Sequence, residues 1–172
     1  MTYKTKRLTA IAILTALYFV LSALLKIPVG GHITLDLGYI ALTVGAAFLG
    51  AVPGMFIGAV GALLESMILS QRGISVGWII MNAIVGFSCG KVMHRTLDDD
   101  RKKFILSSVI VVLVSMLPGC AVKMFLDCII YNLPVVLKIP TTLIAYAADS
   151  AVMLLFGVPL CLSLRGRLKL EE

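Results

Sequence analysis

Six long apolar stretches, separated by charged residues or by Gly and Pro, constrain this chain more than any other feature. They lie near residues 8 to 25, 35 to 51, 53 to 70, 75 to 92, 104 to 126 and 141 to 164. Each approaches the ~20 residues that an α-helix needs to cross a bilayer. Apolar residues make up 60% of the 172 and charged residues only 14%, which leaves too little polar surface for a water-soluble globule. The sequence therefore predicts one all-α membrane domain, 1–172, with six transmembrane helices and no soluble domain.

Positive charge is distributed unevenly among these stretches. Three Lys or Arg residues precede the first stretch, five surround the connector between the fourth and fifth (94–103, HRTLDDDRKK), and three follow the sixth. Lys and Arg accumulate in the cytoplasmic segments of membrane proteins. Because six crossings return the chain to its starting side, both termini are predicted to be cytoplasmic. The net charge of +6 then indicates orientation rather than nucleic-acid binding.

Two connections differ from ordinary loops. Only residues 51–53 separate the second and third stretches, which predicts a tight turn with Pro53 near the start of a helix. The fifth stretch continues past Pro118 to residue 137, too long for one crossing and too short for two. We therefore expect the fifth helix to kink near Pro118 and to lead into an external segment before Pro140.

Small residues recur at intervals of four along three of the stretches. They are Ala46, Gly50, Gly54, Gly58 and Ala62 across the second and third stretches, and Gly86 and Gly90, after Asn82, on the fourth. Rows of small residues allow membrane helices to approach closely. The pattern predicts that these helices pack tightly against one another.

Strongly polar residues inside the stretches fall in the half that this orientation places outside the cell. We select seven of them as candidates for ligand binding: Glu65, Trp78, Asn82, Lys123, Asp127, Tyr146 and Asp149. Ionisable groups are costly inside a bilayer and usually face a cavity or a partner. An ion channel or proton relay needs polar groups through the whole thickness. The asymmetry therefore favours an outward-facing pocket closed beneath by apolar packing.

Several candidates have a second interpretation. Lys123, Asp127 and Tyr131 are four residues apart, so they share one helix face and can neutralise one another. Trp78 also suits the membrane interface. The acidic candidates could pair with Arg72 or with Lys123 instead of with a ligand.

The chain shows no pattern for a cofactor, a metal site or an energy source. Its four cysteines occur singly, and His32 has no second histidine nearby. The segment 86–91 (GFSCGK) is one residue short of the phosphate-binding loop of ATPases and lies inside an apolar stretch. If the protein transports a substrate, a partner must supply the energy. Ala12 and Ala16, in the inner half of the first stretch, would suit docking of a partner helix.

These features together resemble one known family, the substrate-binding S component of energy-coupling factor (ECF) vitamin transporters of bacteria. The resemblance covers nearly the whole chain. It includes Ala12 to Ala16 (AILTA), which is similar to the family's Ala-x-x-x-Ala motif, and residues 33–67, which resemble its acidic entry to helix two and the Gly/Pro/Ala-rich turn into helix three.

The resemblance implies a high-affinity binder in the bacterial cell membrane that docks on a transmembrane coupling protein with two ATP-binding subunits. It implies that Ala12 and Ala16 contact the coupling protein, and that the connectors 26–34 and 70–75 cover the site. By the same resemblance, the protein reorients in the bilayer to release its substrate inside. The ligand would be a vitamin or related micronutrient, with no enzymatic chemistry.

Two other functions remain possible from the residues alone. A membrane enzyme acting on lipid or isoprenoid headgroups would use an acidic cluster, and the cluster here, Asp98 to Asp100, lies among Arg and Lys in the charged connector. A purely structural subunit would leave the outer polar residues paired with one another. An unfilled polar pocket favours the binder, whereas a collapsed cluster of ion pairs favours the structural subunit.

Overall fold

The structure is a computed structural model that describes residues 3–25, 27–30, 33–69, 73–132 and 134–168. In chain order its elements are α1 (Tyr3–Leu24), β1 (Ile27–Gly30), β2 (Ile33–Leu35), α2 (Gly38–Leu49), α3 (Ala51–Leu69), α4 (Val76–Thr96), α5 (Arg101–Tyr131), α6 (Val135–Val152), a π-helical turn (Met153–Gly157) and α7 (Val158–Leu168). His32 lies outside the described residues, as does the part of the connector 70–75 that contains Arg72.

The helices form an apolar bundle suited to a membrane. Among the described residues, five helical stretches are long and apolar enough to cross one: α1, α3, α4, α5 and the continuous stretch Val135–Arg165. The helix α2 has only 12 residues, about 18 Å at ~1.5 Å per residue, because Leu35 still belongs to β2 and the helix begins only at Gly38. It packs against α1, α3 and α4, which explains its apolar sequence. The predicted helical membrane fold is confirmed.

A short antiparallel hairpin that the sequence did not predict joins α1 to α2. Ile27 of β1 is opposite Leu35 of β2, and Gly30 is opposite Ile33. The strand β2 packs against α6. The hairpin belongs to the connector 26–34, which the resemblance implies covers the site.

The tight turn between the second and third stretches is present. Gly50 has a φ of 94°, in the left-handed region that glycine adopts without steric cost. Its amide donates to the carbonyl of Ala46 at 3.0 Å, and its own carbonyl accepts from the amide of Gly54 at 3.0 Å. Pro53 lies in the first turn of α3, where its missing N–H costs no hydrogen bond. One glycine thus ends α2 and begins α3.

The rows of small residues bring α3 and α4 into backbone contact, as the sequence predicts. A Cβ added to Gly54 would lie 2.5 Å from the carbonyl oxygen of Gly86. A Cβ on Gly58 would likewise clash with the carbonyl of Asn82. The two helices can pack this closely only because both surfaces lack side chains at the contact.

The expectations about the fifth and sixth stretches were wrong in their boundaries. The helix α5 runs through Pro118 without a break to Tyr131, where Asn132 ends it in the left-handed conformation. Proline removes one backbone donor, but a bilayer offers the remaining groups no partner outside the helix, so the helix continues. The helix α6 begins at Val135, before Pro140 rather than after it. Among the described residues between Pro118 and Pro140, only Asn132 and Pro134 lie outside a helix.

Polar contacts join the charged connector to α7 at one end of the bundle. The Arg165 guanidinium donates to the backbone carbonyls of Asp99 at 2.7 Å and Asp98 at 2.9 Å. The Lys103 ammonium lies 2.8 Å from the Asp99 carboxylate. A cleft of about 720 Å³ opens beside this connector, between α5 and α7. The polar contacts described next lie at the opposite end.

Candidate ligand-binding site

A hydrogen bond between Trp78 and Glu65 joins α4 to α3 in the predicted outer half. The indole nitrogen donates to the Glu65 carboxylate at 3.0 Å. Glu65 is buried and Trp78 is half-buried. Both residues were predicted as site residues, and the structure brings them into direct contact.

Asn82 lies one turn further along α4 and is completely buried. Its amide nitrogen donates to the carbonyl of Trp78 at 2.9 Å, and its amide oxygen accepts from the Tyr18 hydroxyl at 3.1 Å. Asn82 therefore holds α1 against α4 and fixes the position of the Tyr18 ring. Its predicted contact with a ligand stays a prediction.

Three aromatic rings form a continuous row behind these polar groups. The ring centroids of Tyr18 and Tyr39 are 6.4 Å apart, and those of Tyr39 and Trp78 are 6.2 Å apart, both edge to face. This arrangement is favourable for aromatic pairs. The row connects α1, α2 and α4.

Asp36 orders the junction between β2 and α2. One oxygen of its buried carboxylate accepts from the Ser22 hydroxyl at 2.6 Å and from the Gly38 amide at 2.8 Å. The second bond satisfies one of the free donors at the start of α2. Asp36 thus attaches the N-terminus of α2 to α1 and places Tyr39, three residues later, beside the site.

Asp149 approaches the same junction from α6. Its carboxylate is buried, with 3% of the residue exposed, and it accepts a hydrogen bond from the backbone amide of Asp36. It interacts electrostatically with Asp36, Lys123 and Glu65. Carboxylates from the β2–α2 junction, α3 and α6 are therefore close enough to influence one another.

Lys123, Asp127 and Lys138 form a group of ion pairs beside this cluster. One Asp127 oxygen lies 3.4 Å from the Lys123 ammonium and 3.2 Å from the Lys138 ammonium. The Lys123 ammonium also lies 5.6 Å from the centroid of the Trp78 ring, within range of a cation–π interaction. The predicted pairing of Lys123 with Asp127 is observed.

A glycine makes this position of Lys123 possible. A Cβ on Gly77 would lie 3.1 Å from both the Cα and the carbonyl oxygen of Lys123. The close approach of α4 and α5 at this point brings the lysine side chain over the neighbouring indole.

The hydroxyl of Tyr146 does not take part in this cluster of polar contacts. It donates to the carbonyl of Leu113 at 3.2 Å. Leu113 precedes Lys123 by ten residues on α5, or about 15 Å at ~1.5 Å per residue. The structure adds Asp36, which the sequence offered only as part of the acidic entry to helix two, and three residues that the sequence did not select, Tyr18, Ser22 and Tyr39. A polar residue inside an otherwise apolar stretch was the available signal for these three.

Ala12 and Ala16 lie on an exposed face of α1, separate from the face that buries Tyr18 and Ser22. Only 11% of the apolar window of α1 is buried, compared with 39% to 44% for the other four stretches. The exposed face also carries Ile13, Leu17 and Val20. In the bundle described here, α1 therefore presents an apolar surface with two small residues.

The fold of the chain is shared with a solved transporter subunit. A crystal structure of the S component for biotin from an ECF-type ABC transporter matches with a TM-score of 0.66 and 21% sequence identity, covering 96% of this chain and 95% of that one. At this identity the likeness shows the fold.

Curated relatives share a shorter region. UPF0397 proteins from Onion yellows phytoplasma (strain OY-M) and Aster yellows witches'-broom phytoplasma (strain AYWB) are 29% and 28% identical over 93 residues, which is 54% of this chain and 49% of theirs. A UPF0397 protein from Phytoplasma australiense is 29% identical over 85 residues, 49% of this chain and 44% of its own length. The chain thus spans about half the length of these relatives.

A family model covers almost the whole sequence. The model for the S component of the ECF-type riboflavin transporter matches residues 2–166, which extend from α1 into α7 and include all the residues of the site. The chain therefore belongs to the family of ECF-type riboflavin transporter S components, which are substrate-binding transporter subunits and not enzymes.

Proposed function

We propose that this protein binds a vitamin or related micronutrient in the outer half of the bundle. We propose further that it delivers this ligand to a transmembrane coupling protein whose two ATP-binding subunits drive uptake across a bacterial cell membrane. Family membership supports a role in substrate binding for transport. The family model is described for riboflavin and the solved neighbour for biotin, so neither name determines the ligand of this chain.

The observation that carries the proposal is the concentration of polar and aromatic groups at one end of the bundle. Asp36, Glu65, Asn82 and Asp149 are buried beside the row of aromatic rings. The centre and the opposite end are filled by apolar side chains, among them Leu42, Val85, Met93, Phe104 and Met116. Buried polar groups are retained at a cost in stability, and a binding site is a common reason for them.

A purely structural role accounts for only part of this arrangement. It would explain Asp127, whose carboxylate already has two lysine partners. It does not explain Asp149, which has no ion pair among the described residues. Nor does it explain Tyr39, whose buried hydroxyl makes no hydrogen bond with any of them. The buried Asp149 charge and the unsatisfied Tyr39 hydroxyl favour a binding site.

The exposed face of α1 supports docking of the coupling protein. Ala12 and Ala16 are one turn apart and flanked by larger exposed apolar side chains, so a partner helix can approach the α1 backbone at this point. We propose that both alanines contact the coupling protein. The proposed docking surface would then lie on a different face of α1 from the buried Tyr18 and Ser22.

Purification of the protein with its bound small molecule tests the proposed function. The protein is extracted in mild detergent and denatured, and the released molecules are identified by mass spectrometry. We expect one micronutrient-like compound in near-stoichiometric amount, and uptake of that compound into vesicles only when a coupling protein and ATPases are co-reconstituted. Release of no small molecule, together with no binding of any vitamin tested, would contradict the proposal.

A further inference from the structure

The cleft between α5 and α7 is a second candidate site, at the end of the bundle that carries the charged connector. Its volume is about 720 Å³, within the range of ~300–1,000 Å³ that is usual for ligand pockets. None of the residues of the candidate ligand-binding site lines it. Whatever this cleft binds is therefore distinct from the ligand of the outer half.

The walls of the cleft are apolar. They consist of Ile105 on α5 and, along the π-helical turn and α7, of Leu154, Val158, Pro159 and Leu162. These residues belong to the two helical stretches, 101–131 and 135–165, that are each long and apolar enough to cross a membrane. The hydrocarbon core of a bilayer contains no water that could fill such a space. An apolar chain is the natural occupant of this part of the cleft.

The π-helical turn that contributes to one wall is fixed by its surroundings. The amide of Val158 donates to the carbonyl of Met153, five residues back, and Pro159 after it has no amide to donate. On the side away from the cleft, Gly157 packs so closely against α2 that an added Cβ would lie 2.7 Å from the Thr43 Cβ. Such turns are rare and are frequent at functional sites.

The polar end of the cleft carries charges of both signs. The Arg165 guanidinium is held by the backbone carbonyls of Asp98 and Asp99. Neither Arg165 nor Arg101 forms an ion pair with a residue that the structure describes. The same is true of Asp100, whose side chain caps no amide of α5. This end thus offers two guanidinium groups and the Asp100 carboxylate to a ligand.

The charges at the polar end favour a zwitterionic headgroup. Guanidinium groups bind phosphate through several N–H donors at once. A headgroup with only negative charge would suit the arginines but would also meet the aspartates of the connector. A primary ammonium beside the phosphate adds a cation for Asp100 and can donate hydrogen bonds to it, which a trimethylated ammonium cannot do.

We propose that this cleft binds a membrane phospholipid with an ethanolamine headgroup. Its phosphate contacts Arg101 and Arg165, its primary ammonium contacts Asp100, and one acyl chain lies along the apolar walls. The proposal concerns a separate site and does not depend on the vitamin-binding function proposed above.

Three phospholipids with identical acyl chains test the headgroup. Phosphatidylethanolamine, phosphatidylcholine and phosphatidylglycerol are each titrated into the delipidated protein in mild detergent, and bound lipid is measured by native mass spectrometry. Phosphatidylethanolamine should bind about two- to fivefold more tightly than the other two, the range for partly exposed charge pairs. Equal binding of all three would overturn the proposal. Glycerophosphoethanolamine has the same headgroup without acyl chains, and competition by it at equal concentration would contradict a lipid site.

Two charge variants should differ in their effects. Arg101→Gln should weaken binding of all three lipids, because all contain the phosphate. Asp100→Asn should remove the preference for phosphatidylethanolamine and leave the binding of phosphatidylcholine unchanged. Arg95→Gln makes the same change as Arg101→Gln at an exposed position of α4 outside the cleft and should have no effect. A preference that persists in Asp100→Asn would show that the assignment of the ammonium is wrong.

A pair of tryptophan variants tests the location of the acyl chain. Leu162→Trp fills the cleft and should strongly reduce binding of phosphatidylethanolamine, whereas Leu160→Trp places the same ring on an exposed position of α7 outside it. Because Arg101 is exposed, Arg101→Gln still tests the site if Leu162→Trp does not fold. Unchanged lipid binding in both Leu162→Trp and Arg101→Gln would overturn the proposal. If these variants bind lipid normally but lose uptake, the cleft receives the coupling protein instead.

Discussion

The rings of Tyr39 and Trp78 lie edge to face with their centroids 6.2 Å apart, and the buried hydroxyl of Tyr39 makes no hydrogen bond with any residue that the structure describes. Tyr39 comes from the start of α2 and Trp78 from the start of α4, so the fold itself brings the two together. The protein maintains this unsatisfied hydroxyl although it destabilises the empty state. That cost is expected where binding requires buried polar groups to remain available.

The first prediction concerns a buried charge of the same site. In the empty protein, Asp149→Asn should raise the melting temperature by a few degrees, because it removes a buried charge that has no ion pair among the described residues. Differential scanning fluorimetry in detergent measures the change, with Asp99→Asn as the control of equal chemistry. If the variant melts well below the wild type without ligand, Asp149 is a structural residue instead.

The second prediction concerns the glycine contact between α3 and α4. Gly86→Ala should destabilise the protein by about 1–3 kcal/mol, the usual cost of overpacking, because its Cβ would clash with the carbonyl of Gly54. Ala147→Val adds volume at an exposed position of α6 and should change the melting temperature far less. Equal melting temperatures for the two variants would mean that the helices are not in backbone contact.

The third prediction separates the ion-paired group from the unpaired carboxylate. Lys138→Ala should lower the unfolding free energy by only about 0.5–1 kcal/mol, because Asp127 retains Lys123 and the group is partly exposed. The effect should shrink at high salt. Melting curves at low and high ionic strength measure both quantities. A ligand affinity reduced as strongly as in Asp149→Asn would show that Lys138 contacts the ligand.

The fourth prediction tests the docking surface on α1. Replacement of Ala12 or Ala16 by Trp should abolish uptake and leave ligand affinity unchanged, because the bulky ring prevents a partner helix from approaching. Val114→Trp places the same ring on an exposed apolar position of α5 and should permit uptake. Loss of ligand binding in the Ala12 and Ala16 variants, or uptake at wild-type rate, would contradict the assignment.

The apolar stretches, and the Gly, Pro and charged residues that separate them, were sufficient to predict most of the fold. The predicted third and fourth stretches, 53 to 70 and 75 to 92, overlap α3 and α4 closely, because Gly, Pro and charged residues mark their ends. The prolines in α5 and α6 were misleading. A proline predicts a helix boundary in water, where the freed carbonyl can be solvated, but Pro118 lies in a segment that has no such solvent.

The candidate site was less predictable, because its contacts depend on tertiary packing. The pairing of Lys123 with Asp127 followed from their spacing on one helix. The contact of Trp78 with Glu65 joins two helices whose relative rotation the sequence does not specify. Tyr18 and Tyr39 were missed because an aromatic residue in an apolar stretch usually belongs to the core, as these two rings do. Only the structure shows the surroundings of their hydroxyl groups.

The most direct test of the account uses Trp78, the single tryptophan of the chain, as a reporter of ligand binding in the outer half. A second protein, Trp78→Phe with Phe87→Trp, moves the indole nine residues along α4 toward the charged connector, about 13 Å at ~1.5 Å per residue. We expect saturable quenching of Trp78 fluorescence by the co-purified ligand, and no ligand-dependent change from the indole at position 87. Quenching of the relocated indole, or saturable binding that leaves Trp78 fluorescence unchanged, would contradict a ligand site in the outer half.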